Sequence, residues 1–221
     1  MQRRLWASLA QVRQYARLDE ATLEKLVLCG CFDDLGGRNK HLQELGLDTK
    51  GELELLHIEK DLLGIYGSDH PCRPFLPLVH KLKGELDVVA GEILEMKAAG
   101  NMRQGILDTP TGSFFFEGAK ERFAGLSLAV GVRLALFGDT EVNWALPLGP
   151  TLLITPTPSN LETIKAILRQ QFGSKPTILL LGEAYHLLPR EFWVKDAREI
   201  ERRLQEAEIV YTWLDPWKEN V

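Results

Sequence analysis

A glycine turn followed by polar and cationic residues is the first place along the chain where chemistry can be read. Cys29-Gly30-Cys31 ends a helical stretch, and Arg38-Asn39-Lys40 lies a few residues on. Glycine lets the backbone turn sharply, and amides with cations at such a turn can hold phosphate oxygens. The same residues also describe a plain turn with solvated charges. Further on, Phe114, Phe115 and Phe116 are consecutive. Side chains alternate along a strand, so Phe115 faces the opposite way from its two neighbours. An outward aromatic can stack on a base, worth about 1–3 kcal/mol, or it can cover a small helix. Near the end come Trp193, Trp213 and Trp217. Tryptophan is enriched at binding hot spots. Trp193 and Trp213 suit a core, which leaves Trp217 as the interface candidate.

Catalytic groupings are harder to find. Adjacent Asp33-Asp34 and His70 are the acids and base a hydrolase would use, but no carboxylate cluster or nucleophile–base arrangement accompanies them. The three cysteines, Cys29, Cys31 and Cys72, are an odd number, which does not suit a disulfide framework. Five scattered histidines lack zinc-site spacing. Buried free thiols are therefore expected, and no cofactor or metal.

Composition sets the frame for these residues. The chain has 221 residues, 45% hydrophobic and 26% charged, with net charge −5. Lys plus Arg against Asp plus Glu count 12 and 12 over residues 1–84, 5 and 9 over 85–150, and 9 and 10 over 151–221. Phosphate binding needs clustered cations, so charge predicts no tight nonspecific grip on nucleic acid. The first residues carry four arginines but no unbroken apolar core of a signal peptide. The longest apolar runs are too short to span a bilayer. A cytoplasmic location with no membrane contact is the expectation.

The pattern predicts an α+β, multi-domain chain in three parts. Residues 1–84 are helical: Leu5, Leu9, Val12 and Tyr15 recur at helical steps, Asp19 reads as an N-cap, and Leu23, Leu26, Val27 and Leu28 follow. Residues 52–66 form another amphipathic stretch with apolar Leu55, Leu56, Ile58, Leu62 and Leu63, and Pro71, Pro74 and Pro77 then interrupt the helical pattern. A boundary falls near residues 70–84. Residues 85–150 change to short strands, with turns at Gly100-Asn101, 108–112 and Gly138-Asp139 and a helical piece at Ala119–Gly125. Five strands with one small helix after the third fit a five-stranded barrel of the oligonucleotide-binding (OB) type. Residues 151–221 read as strand, helix, strand, strand, helix, strand, a small α/β module with Ser159 capping its first helix.

Four stretches carry a resemblance. Leu26–Gly36, LVLCGCFDDLG, is similar to the "LIKAGAFDxLG" segment at the end of the fingers in bacterial DNA polymerase III alpha subunits. Glu59–Pro71, EKDLLGIYGSDHP, resembles their "EKELLGFYLSGHP". Thr111-Gly112-Ser113, followed by a strand and AKERFAGL, resembles "TGSIEVVVFPEVYERYRDL" in their OB fold. LLPREFWV, at Leu187–Val194, is similar to their "LLPEEYWV". The order is collinear, and the short first linker also resembles the error-prone alpha-like relatives. The resemblance implies a helix-hairpin-helix-like region, an OB fold and a carboxy-terminal partner-binding domain.

What the resemblance implies for function is a non-catalytic, accessory part of such a polymerase. The family's palm holds two Mg²⁺ through an Asp-x-Asp pair plus a third Asp, and this chain contains no Asp-x-Asp. Weak binding of single-stranded or primer-template DNA is implied at Gly30, Arg38, Asn39 and Lys40. In the OB fold it is implied at the strand-one-to-strand-two loop, Met96–Arg103, whose cations are Lys97 and Arg103. Aligned on the family's strand, Phe114 and Phe116 take core positions and Phe115 points outward. Gln43-Glu44-Leu45-Gly46-Leu47 lies where the family places its clamp-binding peptide. Gln43 and Leu47 fit, while Gly46 replaces the aliphatic anchor; the same residues also read as a plain helix-to-loop transition. Trp217 lies in the domain that meets the clamp loader. The sliding clamp, the clamp loader or a separate catalytic polymerase subunit are the implied partners. The alternative is a protein-interaction scaffold in DNA replication or repair whose OB fold no longer binds DNA.

Overall fold

The structure, a computed structural model, describes residues 6–138, 141–195 and 197–217. The chain divides into two compact units between Pro71 and Cys72, at the start of the interval the prolines mark. The protein is α+β: the first unit is helical, and the second holds a five-stranded and a four-stranded sheet. Among the described residues no helix is long and apolar enough to cross a membrane.

The first unit contains α1 (Leu9–Tyr15), α2 (Glu20–Leu28), α3 (Arg38–Glu44) and α4 (Glu52–Leu63). Asp19 caps α2 as expected, accepting from the Thr22 amide and hydroxyl, each at 2.8 Å. The Thr22 amide above all holds the Asp19 carboxyl below its ordinary value. Helices α2 and α3 stop in the same way. Gly30 and Gly46 have φ of 74° and 75°. The amides of Gly30 and Cys31 donate to Val27 and Leu26, and those of Gly46 and Leu47 to Gln43 and Leu42. These are the paired bonds of a Schellman motif, which needs a left-handed residue at the helix end. Leu9, Val12, Leu23, Val27, Leu28, Leu42 and Leu55 bury together, with Leu47 packed against them.

Two apolar faces depart from expectation. Leu5 lies outside the described residues, and Tyr15 at the end of α1 is exposed. In α4, Leu55 and Leu56 are buried, but Leu62 and Leu63 are exposed and the wholly buried position between them belongs to Glu59.

In the second unit a 3-10 turn at Arg73–Phe75 leads into α5 (Leu76–Leu82). Pro77 does not break this helix, because it sits in the first turn, where its missing N–H and fixed φ are tolerated. The five-stranded sheet follows: β1 (Val88–Ala99), β2 (Met102–Thr109), β3 (Gly112–Ala119), β4 (Arg133–Phe137) and β5 (Trp144–Pro147), with a 3-10 turn at Lys120–Phe123 after β3. Its order is β3-β2-β1-β4-β5, and every ladder is antiparallel. All five expected strands are present; Asp139, in the expected turn before β5, lies outside the described residues. Ladder pairing does not close the sheet into a barrel among the described residues. Between β3 and the segment leading into β5 there is an isolated parallel bridge, Glu117 to Glu141, and the Val142 amide donates to the Glu117 carbonyl at 2.8 Å. The expected Met96–Arg103 loop is not a loop. The β1–β2 ladder runs through Ala99 and Met102, leaving Gly100-Asn101 as the turn.

The four-stranded sheet has β6 (Thr151–Thr155), β8 (Thr177–Leu181), β9 (Ala184–Leu187) and β10 (Val210–Leu214) in the order β10-β6-β8-β9; a short strand β7 (Phe172–Lys175) precedes β8. Strands β6 and β8 are parallel, which requires a crossover, and α6 (Leu161–Arg169) lies in that connection. With α7 (Ala197–Glu206) it buries Ile164, Leu168, Ile200 and Leu204 against Leu152 and Ile154. Asn160, not Ser159, stands at the start of α6. Its side chain accepts from the Thr157 amide, while the Ser159 hydroxyl bonds the Thr157 hydroxyl. The segments expected as separate parts, 85–150 and 151–221, share a core in which Trp193 packs with Phe137, Ala135 and Phe75. Of the three thiols expected to be buried, Cys72 is; Cys29 is half-buried and Cys31 exposed, because the α2 stop lies at the unit's surface.

Gly46→Ala forces a side chain into a left-handed position. It is expected to lower the stability of the first unit by about 1 kcal/mol, read as faster amide exchange in α3; unchanged protection would contradict the helix-stop assignment.

Candidate nucleic-acid and partner interface

The residues expected to meet phosphate in the first unit are mostly used internally. The Gly30 amide donates to Val27 at 2.9 Å. A methyl group at Gly30 would lie 2.7 Å from the Asp33 carboxylate and closer still to the Arg38 guanidinium, so this position is a packing contact. Arg38 is 8% exposed, with Nε on Asp33 at 2.9 Å and Nη1 on Glu59 at 2.7 Å. It also donates to the Leu28 carbonyl. Both ends of the Asn39 amide bond the backbone of Lys50 at 2.8 Å and so fix the approach to α4. Lys40 is exposed, 3.9 Å from Glu44, a surface pair worth at most about 1 kcal/mol.

Glu59 is the residue that sequence reasoning missed. It is 0% exposed. Besides Arg38 it accepts from the Gly67 amide, and from the Ser68 amide and hydroxyl at 2.5 Å each. Burial alone would raise its carboxyl; the Ser68 hydroxyl, Arg38 and the Ser68 amide outweigh burial and hold it below the ordinary glutamate value. A signal was present, since Glu59 follows Leu55 and Leu56 by four and three residues and so shares the buried side of α4. Beside this network a cleft of about 480 Å³ is lined by Arg38, Asn39, Lys50 and Ser68, and also by Asp33, Glu52 and Asp69. Lys50 is paired with Glu54 at 2.8 Å. The cleft is thus of mixed charge.

The expected clamp peptide is the end of α3. Gly46 provides its left-handed stop, Leu47 is packed on the core, and Gln43 is exposed. The glycine that departs from the aliphatic anchor has a local structural cause.

In the second unit Lys97 and Arg103 do not converge. Lys97 lies opposite Gln104 in the ladder and Arg103 opposite Ala98, so the two project from opposite faces of the hairpin. Arg103 is half-buried and donates to the Met102 carbonyl. Phe116 is fully buried and Phe114 packs against the same cluster, whereas Phe115 is 56% exposed. The parity read from the sequence holds. Phe115 shares its face with Lys97, but also with Glu95, Asp108 and Glu117. Trp217 is half-buried against the cluster of Trp193 and Phe137, so much of its ring is spent on the core. Trp193 is core, with its indole N–H on the Leu188 carbonyl.

No protein-family model and no curated protein matches this chain. The likeness to polymerase alpha subunits therefore rests on the four motifs and their order.

Glu59→Gln removes the charge that Arg38 is buried against, which is expected to cost about 3 kcal/mol at neutral pH. The folded carboxyl titrates below its unfolded value of about 4.3. The stabilisation is therefore complete above that value and is lost as pH falls through the folded one. Amide exchange in α2 and α4 should show the gap between wild type and Glu59→Gln narrowing in acid; a pH-independent gap would rule out the charge as its cause.

Proposed function

We propose that this chain is a non-catalytic portion of a bacterial DNA polymerase alpha-like assembly, replicative or translesion, whose main contribution is to dock protein partners. The order of its parts supports this reading: helices, then a five-stranded sheet, then an α/β layer, with the four motifs in sequence. The strand order, the 3-10 turn after β3 and the Glu117–Glu141 bridge support an OB-type reading of residues 88–147, a partly open barrel whose β2–β3 face is the usual ligand side. One observation carries docking over a grip on DNA. On the outer face of β1, β2 and β3, the described residues Glu92, Glu95, Asp108 and Glu117 stand with Lys97 and, opposite Glu92 on β4, Arg133, so this face offers no cluster of cations to a phosphate backbone. The sliding clamp, the clamp loader and a separately encoded catalytic subunit are the partners to test.

A second reading, weak single-strand binding, is favoured by the exposed ring of Phe115. Titration of a fluorescent oligothymidylate at low and physiological salt separates the two. No saturable binding tighter than about 10⁻⁴ M is expected at physiological salt, together with co-elution of the chain with at least one of the three partners purified from its own source. Micromolar binding that disappears in Phe115→Ala would select the second reading instead.

A further inference from the structure

The second unit has a concavity of about 350 Å³ that shares no residue with the β1–β2–β3 face. Its size is at the small end of the range for ligand sites. We infer that it binds a small apolar monocarboxylate. The apolar wall is made by Pro74 and Phe75 of the 3-10 turn, Leu78 of α5, and Trp213 and Leu214 of β10. Lys81 follows Leu78 by three residues and so lies on the same side of α5. Tyr185 of β9 completes the lining beside it.

Two donors form the polar end. The Lys81 Nζ donates to the Tyr185 hydroxyl oxygen at 3.2 Å and lies 4.5 Å from the centre of the ring. An ammonium carries three protons, and a hydroxyl that accepts one bond still has its own proton to give. Among the described residues no carboxylate pairs with Lys81 and no acceptor takes the Tyr185 hydroxyl proton. A carboxylate set against both gains charge-assisted bonds, while an apolar body behind it lies on the proline, leucine and aromatic wall. Two other charges stand nearby. Asp215 lines the same concavity, with one oxygen accepting from the Trp217 amide at 3.3 Å. The Lys175 ammonium lies 5.6 Å from the centre of the Trp213 ring. Asp215 opposes a second negative group, so a monoanion suits the site better than a dianion or a phosphate.

The test is a titration of the intact chain followed by backbone amide shifts in NMR. The probes are phenylpropionate, the matching alcohol phenylpropanol, the matching cation phenylpropylammonium, and the dianion phenylsuccinate. Saturable binding of phenylpropionate at about millimolar affinity is expected, with the shifted amides in α5, β9 and β10. Affinity should fall about tenfold in Tyr185→Phe and in Lys81→Met, and Lys81→Arg should restore part of it. The alcohol, the cation and the dianion should each bind more weakly than the monocarboxylate. No saturable binding of phenylpropionate, an affinity matched by any of the other three probes, or affinity unchanged in both Tyr185→Phe and Lys81→Met overturns the assignment.

Discussion

An arginine and a glutamate buried together organise the first unit. Neither charge can be left alone out of water, since an unpaired buried ion costs several kcal/mol. Arg38 and Glu59 meet at 2.7 Å, and the remaining acceptor capacity of Glu59 is taken up by the Gly67–Ser68 turn. The other bonds of Arg38 reach the end of α2 at Leu28 and the 3-10 turn at Asp33. Two sequence motifs, 26–36 and 59–71, are thereby held to one point. The same bonds have a functional consequence, because the strongest cation of the proposed phosphate turn is already satisfied within the protein.

The second unit shows the same economy with apolar groups. Phe137 stacks on Trp144 at a centroid distance of 3.5 Å, nearly parallel, across the β4–β5 ladder. Trp193 closes the core between the two sheets. With these rings inside, Phe115 is the large aromatic that the five-stranded sheet leaves outside. Acids and cations are mixed on its side of the sheet, with Glu95 beside Lys97 and Arg133 opposite Glu92.

Local rules were legible in the sequence, and long-range ones were not. The Asp19 cap, the glycine stop after α2, the five strands and the inward-outward alternation of Phe114, Phe115 and Phe116 follow from neighbours a few residues apart. The burial of Glu59 depends on Arg38 and Ser68, which arrive from other elements. Gln43 and Leu47 fit a linear peptide as well as a helix end, and the left-handed stop at Gly46, with its bonds from Gly46 and Leu47 to Gln43 and Leu42, appears only in the folded backbone. The extension of β1 through Ala99 carries no apolar signal, since its last residues are exposed and the ladder is held by backbone bonds. The shared core of the two sheets, and Trp217's place against it, need contacts between distant segments.

The central claim is that Arg38 is a structural cation bound to Glu59 and not a ligand for DNA. A double-mutant cycle of Arg38→Met and Glu59→Gln, read by amide exchange in α2 and α4, tests it directly. The two losses should be strongly non-additive, with a coupling of about 2–3 kcal/mol and oligonucleotide affinity unmoved by Arg38→Met. Additive losses, with affinity for oligonucleotide falling in the Arg38 variant alone, would contradict the account.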